Sequence, residues 1–269
     1  MLYKDYCKSI YIMNNYSCLQ YKKNVYSQNG EDGIIEYIFK TLGIQNGNFI
    51  EFGAWDGIHL SNCYKLLNEG WSGIYIEADK NKYNDLVKNF GDKQKITLIN
   101  KMVGYEDDDN LDLIIEHSNH ENKDFDFISI DVDGLDYNIF KATNTYLPKV
   151  ICIEVNAGHS PEFDQELSND IAVNNIGQSL QIVCNLAATK GYFPLCYTGN
   201  LFLVKNEYKH LFLQDIKPIK DLYIDFLSYL DNDGVKHLYN TFVVTKYFNG
   251  LWFHNQVLED FCNTRILHN

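Results

Sequence analysis

The chain has 269 residues, 45% of them hydrophobic and 22% charged, a size and balance that suit one α/β domain with a substantial core. A net charge of −13 and a single arginine, Arg265, disfavour nucleic acid as a partner, because phosphate backbones are bound by Lys and Arg. No apolar run reaches the length of a membrane span, so no membrane partner is expected either.

Residues 1–47 are read as a helical lead-in or cap. From Gly30, the stretch EDGIIEYIFKTLG puts Ile34, Ile35, Ile38, Phe39 and Leu42 on one face of a helix that Gly43 ends. Short apolar runs follow: NFIEFG (48–53), GIYIEA (73–78), KITLIN (95–100), FDFISID (125–131) and KVICIEV (149–155). Segments with amphipathic helical spacing separate them. Continuous apolar strands alternating with helices indicate a parallel sheet covered on both faces, hence a doubly wound α/β architecture. SLQIVCNLAATKGY then reads as a long helix ending at Gly191. The strands FPLCY and LFLVK follow, joined by Thr198-Gly199-Asn200, which has hairpin turn chemistry. Together these runs predict a mostly parallel seven-stranded sheet over residues 48–205. A C-terminal extension, 206–269, carries a helical patch from Leu222 to Leu230 and the aromatic run YFNGLWFHN, with no assigned role.

Seven cysteines are scattered without CxxC spacing, and Cys152 and Cys184 lie inside apolar runs that read as core. With no signal peptide visible, the expectation is a reducing, cytoplasmic compartment. Nothing in the sequence sets the oligomeric state.

FIEFGAWDG is the most informative stretch. A strand ending in acidic-x-Gly-x-x-x-Gly and opening toward a helix makes a tight turn where backbone approaches a ligand. It is not the GxGxxG of dinucleotide enzymes, so no pyrophosphate cradle is expected. A carboxylate at Glu51 suits a cofactor with a cationic amino-acid tail. Glu77, at the end of the next strand, is placed to accept hydrogen bonds from both hydroxyls of a ribose. Two such acidic strand ends in order point to an adenosine-type cofactor.

The succession YSQNGEDGIIEYIF, FIEFGAWDGIHLSN, GIYIEAD, FISIDVDGLDYNIF and VICIEVN resembles the FkbM-type family of S-adenosylmethionine-dependent methyltransferases, over about residues 25–205. The resemblance implies a class I methyltransferase fold, Rossmann-like, whose parallel sheet is closed by a terminal β-hairpin. It implies that Glu51, Gly53, Asp56 and Gly57 surround the methionine moiety and that Glu77 holds the ribose. Gln28 and Glu31 match the family's SQxGED signature, which caps the cofactor pocket, and Asn62 is a further expected contact. Members often methylate hydroxyl groups of sugars or secondary metabolites, so the implied acceptor is a small hydroxylated molecule, a sugar or glycoconjugate.

ISIDVDGLDY places Asp131, Asp133 and Asp136 at one strand end, and IEVNAGHS places Glu154 and Asn156 at the next. Adjacent carboxyl ends of parallel strands face one crevice. Oxygen donors converging there are of the kind Mg²⁺ or Mn²⁺ takes, with Asp131, Asp133 and Glu154 as the candidate ligands. Such a metal orients vicinal hydroxyls and lowers the pKa of the one attacked. The same carboxylates also serve well as turn formers, and Asp131 is equally placed to touch the methionine end of the cofactor. Asp131, Asp133 and His159 are the candidate catalytic groups, His159 as general base, with His59 as its alternative. Three other readings compete: a non-catalytic binding module on the same fold, an NAD-linked oxidoreductase and a nucleic-acid methyltransferase. The missing GxGxxG argues against the second, and the charge and the absence of an NPPY-like motif against the third.

Overall fold

A computed structural model describes residues 17–106, 108–132, 134–167, 177–231, 233–235, 237–238, 247–248, 251–252 and 255–266. Within the expected helical lead-in, the described residues form a short 3-10 turn at Cys18–Tyr21 and, after a loop over 22–30, a full helix. Helix α1 (Glu31–Leu42) begins at Gly30 and ends at Gly43, which stops it in the left-handed conformation as expected.

The expected strands all form: β1 (Asn48–Phe52), β2 (Ser72–Ile76), β3 (Ile96–Ile99), β4 (Phe127–Ile130), β5 (Val150–Glu154), β6 (Tyr192–Tyr197) and β7 (Asn200–Lys205). Their order is β3-β2-β1-β4-β5-β7-β6. The first five run parallel and β7 inserts antiparallel between β5 and β6. This is the mostly parallel, doubly wound seven-stranded sheet closed by a hairpin that the sequence indicates. Between them lie α2 (Tyr64–Asn68), α3 (Lys80–Phe90), α4 (Leu111–Glu116), α5 (Asp136–Ala142) and α6 (Leu180–Thr189). Side-chain caps start three of these helices: Asp79 on the amides of Asn81 and Lys82, Asn110 on Leu113, and Ser179 on Ile182. Helix α5 stops at Ala142, sooner than the pattern YNIFKATNTYL indicated.

Alternate residues of each strand feed two apolar layers, as the two-residue period of a strand requires. Ile50, Phe52, Ile74, Ile76, Ile128 and Ile130 pack on one face with α4, α5 and α6. Phe49, Tyr75 and Phe127 pack on the other with α1 and α3. Beyond the hairpin, α7 (Ile219–Tyr229) adds Leu222, Tyr223, Phe226 and Leu227 to the first layer. The aromatic run forms a two-stranded pair, β8 (Tyr247–Phe248) with β9 (Leu251–Trp252), and α8 (Gln256–Ile266), which the sequence reading had not anticipated, contributes Val257 and Leu258 to that same layer. The six cysteines among the described residues are buried, Cys152 and Cys184 included.

Sheet order reverses between β1 and β4, and their carboxyl ends open the crevice where ligands of such folds bind. Gly53 follows β1 directly with φ +70°, and a Cβ there would lie 2.4 Å from the carbonyl oxygen of Asp131 after β4. This glycine is therefore needed for the close passage of the two chain segments, and it also lines the crevice. Gly43 has nearly the same φ, +71°, but open space around it. Gly43→Ala should cost about 1 kcal/mol, the backbone term alone. Gly53→Ala should cost at least twice that, about 2–4 kcal/mol, because backbone must also move. Denaturant unfolding of the two variants checks the difference; equal losses would remove the steric role.

Candidate functional site

Two clefts open at the carboxyl edge of the sheet. The first, about 270 Å³, lies over the ends of β1 and β2 and is lined by Glu31, Glu51, Gly53, Asn62 and Glu77, with Trp55 at its side. The second, about 370 Å³, lies over the ends of β4 and β5 and against the β6–β7 hairpin. Gln28, Asp131 and Asn200 line both, so the clefts meet along these three side chains.

Glu51 is 6% exposed and takes hydrogen bonds from the Ser61 hydroxyl (2.6 Å) and the Asn62 amide (2.8 Å). Burial pushes its carboxyl up to about 7, and these two donors only partly oppose the rise. A buried carboxyl of this kind is stabilised in its charged form by a cationic ligand group. Glu77 accepts the amides of Trp55 and Asp79, both at 2.8 Å, one on each oxygen. Each oxygen retains a second lone pair for a further donor such as a ribose hydroxyl. Asn62 spans the floor, its side-chain amide donating to the Ser129 hydroxyl at 3.0 Å.

The loop between β1 and α2 is wound tightly around the first cleft. Trp55 (φ 44°) and Leu60 (φ 58°) hold left-handed backbone, an uncommon state for bulky residues and one that concentrates at functional sites. Trp55 is nonetheless 43% exposed, with the Lys82 ammonium 5.9 Å from its ring centroid.

The SQNGED segment is fixed by two buried carboxylates. Asp32 accepts the amides of Val25, Tyr26 and Ser27 and the Ser27 hydroxyl on one oxygen. Glu31 accepts the Asn29 amide at 2.6 Å and, on its other oxygen, the Thr198 hydroxyl at 2.8 Å and the Asn200 side-chain amide at 3.4 Å. Glu31 thereby joins the N-terminal segment to the hairpin and sets Gln28 over the seam.

Two of the expected cofactor contacts lie apart from the first cleft. Asp56 closes its own turn, accepting the amides of Ile58 and His59 at 2.9 Å and lying 2.5 Å from His59 Nδ1, and neither it nor Gly57 lines the first cleft. Gly57 is required by packing, since a Cβ would come within 2.5 Å of the Phe90 ring. His159 is 5% exposed, stacks on Phe163 at 5.7 Å and lines neither cleft. His59 does line the first cleft. Asp133 lies outside the described residues. Among the described residues, Asp131, Asp136 and Glu154 present oxygens within 4.8 Å of one another. Asp136 also braces the turn before α5, accepting the amides of Val132 and Gly134 at 2.9 Å.

Sequence reasoning missed Asn200 and His237, which line the second cleft from distant parts of the chain. The turn signal at 198–200 located Asn200 without revealing which way the hairpin leans.

The sequence matches no family model and no curated protein. Among solved structures, the CurJ carbon methyltransferase is similar with 11% identity, over 70% of this chain and 56% of that one, at a TM-score of 0.42. A SAM-dependent methyltransferase from Aquifex aeolicus is similar with 13% identity, over 73% and 95% of the two chains, at a TM-score of 0.38. Superpositions this loose bear on neither the reaction nor the acceptor, which rest on the clefts themselves.

The raised Glu51 carboxyl has a direct consequence for stability. An unfolded glutamate titrates near 4.5, so between that value and about 7 the folded chain holds a proton that the unfolded chain releases. Its destabilising contribution is therefore absent at acid pH and complete above about 7. Glu51→Gln should leave stability unchanged near about pH 4.5 and gain up to about 3 kcal/mol by about pH 8. Thermal unfolding of both proteins across that range checks it; parallel curves would contradict the burial argument.

Proposed function

We propose that the chain is an S-adenosylmethionine-dependent O-methyltransferase of the FkbM type, acting in the cytoplasm as one domain on a small hydroxylated acceptor, a sugar or glycoconjugate. The observation that carries this reading is the meeting of two clefts along Gln28, Asp131 and Asn200, one of them furnished with two acidic strand ends. The first cleft is read as the cofactor site, with Glu51 toward the cationic amino-acid end and Glu77 on the ribose. A buried carboxylate at Glu51 disfavours a pyrophosphate in the same place, which argues against the NAD-linked reading. When bound, S-adenosylmethionine supplies an electrophilic methyl group. The chain's own work is then positioning and proton removal. Gln28 and Asn200 present amides at the seam, and the exposed Asp131 carboxylate would take the proton of the acceptor hydroxyl as the methyl leaves sulfur for oxygen, with S-adenosylhomocysteine as the leaving group.

A second reading of the acidic group is a Mg²⁺ or Mn²⁺ site at Asp131, Asp136 and Glu154, favoured by the closeness of their oxygens. Such an ion would lower the hydroxyl pKa in place of a carboxylate base. Activity that disappears with EDTA and returns with Mg²⁺ supports the ion. Activity indifferent to chelation but lost in Asp131→Asn supports the carboxylate.

The cofactor assignment is tested with S-adenosylhomocysteine. Glu77→Gln keeps an acceptor for one loop amide but removes the charge, and should weaken binding ~10–100-fold by calorimetry. Binding to the unaltered protein should also change tryptophan fluorescence, a change that Trp55→Phe removes. Unchanged affinity in folded Glu77→Gln would contradict the assignment.

A further inference from the structure

A buried side-chain cluster lies away from both clefts, where the N-terminal segment meets the β6–β7 hairpin. Cys18, on the short 3-10 turn, is 2% exposed, and so is Cys196 of β6. Both line one small cavity together with Asp215, and both belong to the apolar layer that packs on α1. Cys196 reaches that layer through an irregularity in its strand. The pairing of β6 with β7 slips between Pro194 and Cys196, and the successive residues Leu195 and Cys196 pack in the same layer. A regular strand sends neighbours to opposite faces. The bulge therefore turns the Cys196 side chain toward the side of the sheet where Cys18 lies.

The cluster keeps its thiols quiet while it is closed. Cys196 beside it, burial and the Asp215 carboxylate all hold the Cys18 thiol far above the ordinary thiol range. Asp215 is itself fixed by the Tyr37 hydroxyl, which donates to it at 2.7 Å. A protonated thiol is a poor nucleophile, so reaction waits on opening of the turn. That turn is slight, four residues held by the amides of Gln20 and Lys22 on the carbonyls of Ser17 and Leu19 at 3.0 and 3.1 Å. Short 3-10 pieces of this kind open locally at far lower free energy than the sheet. Opening brings Cys18 to solvent and returns it to ordinary acidity.

We propose that Cys18 and Cys196 form a reversible disulfide, a redox modification site that fastens the N-terminal segment to the β6–β7 hairpin. The oxidant is a small-molecule disulfide such as oxidised glutathione. The Cys18 thiolate attacks one of its sulfurs and expels the first glutathione thiolate; Cys196 then attacks the Cys18 sulfur and expels the second. The two cysteine protons end on the two glutathione thiols, and two electrons pass from the cysteine pair to the glutathione disulfide. The bridge joins the elements that carry Gln28 and Asn200 to the seam of the clefts, and it adds a covalent tie to the hydrogen bonds of Glu31 with Thr198 and Asn200. Nothing in this depends on which ligand either cleft holds.

The test holds the full chain in glutathione buffers, from fully reduced to fully oxidised, until its composition is constant. Alkylation, digestion and mass spectrometry then map the bridges. The oxidised form should carry a Cys18–Cys196 peptide pair that dithiothreitol removes. It should melt about 5–15 °C above the reduced form, as closure of a long loop requires. Amide exchange at Gln20 and Lys22 should slow at least ~10-fold, because the bridge holds the turn shut. Cys196→Ala should abolish both shifts, and if that variant fails to fold, the mapping and exchange on the unaltered chain still decide. Absence of the pair at constant composition overturns the proposal, as does a bridge from either cysteine to another, Cys7 included. A Cys18–Cys196 bridge that leaves exchange and melting unchanged overturns it as well, because such a bridge fastens nothing.

Discussion

Buried carboxylates that accept backbone amides hold the functional edge of this molecule together. At the carboxyl ends of parallel strands, loops must cross the sheet and their amides need acceptors away from water. Here Asp32 gathers residues 25–27, Glu31 takes Asn29, Glu51 takes Asn62, Glu77 takes Trp55 and Asp79, and Asp136 takes Val132 and Gly134. With Asp and Glu at 36 against Lys and Arg at 23, the chain is rich in such acceptors. The acidic groups that shape the clefts are thus the same ones that fix their walls.

That economy has an electrostatic cost that falls on Glu51. Its desolvation is only partly offset by Ser61 and Asn62, which leaves the carboxyl poised near neutrality. A cationic ligand group entering the first cleft relieves this cost, so binding and local stability are coupled through one residue. The left-handed backbone at Trp55 and Leu60 is a second local cost at the same cleft. Both point to a ligand site at this edge, where stability has been given up for shape and charge.

Much of the fold was legible in the sequence because it is written in local periodicity. Continuous apolar runs such as NFIEF and VICIE report burial on both faces, and each became a parallel strand. Glycine punctuation at Gly43 and the hairpin signal at Thr198-Gly199-Asn200 were equally local. The site was harder, because spacing shows that a carboxylate lies in a turn without showing where it points. Asp56 and Gly57 sit inside the glycine motif, yet one closes its own turn and the other makes room for Phe90. Gly53 is governed by the Asp131 carbonyl after β4, a neighbour distant in sequence. Asn200 and His237 reach the second cleft only through the insertion of β7 and the fold of the C-terminal extension. No local pattern carries that information.

The central claim is that the edge forms one reaction site from two clefts. A crystal structure of the protein with S-adenosylhomocysteine tests it most directly. The expected result places the ligand between Glu51 and Glu77 with its sulfur facing the Gln28–Asp131–Asn200 seam. A ligand seated elsewhere on the sheet edge, or one whose sulfur faces away from that seam, would contradict the account.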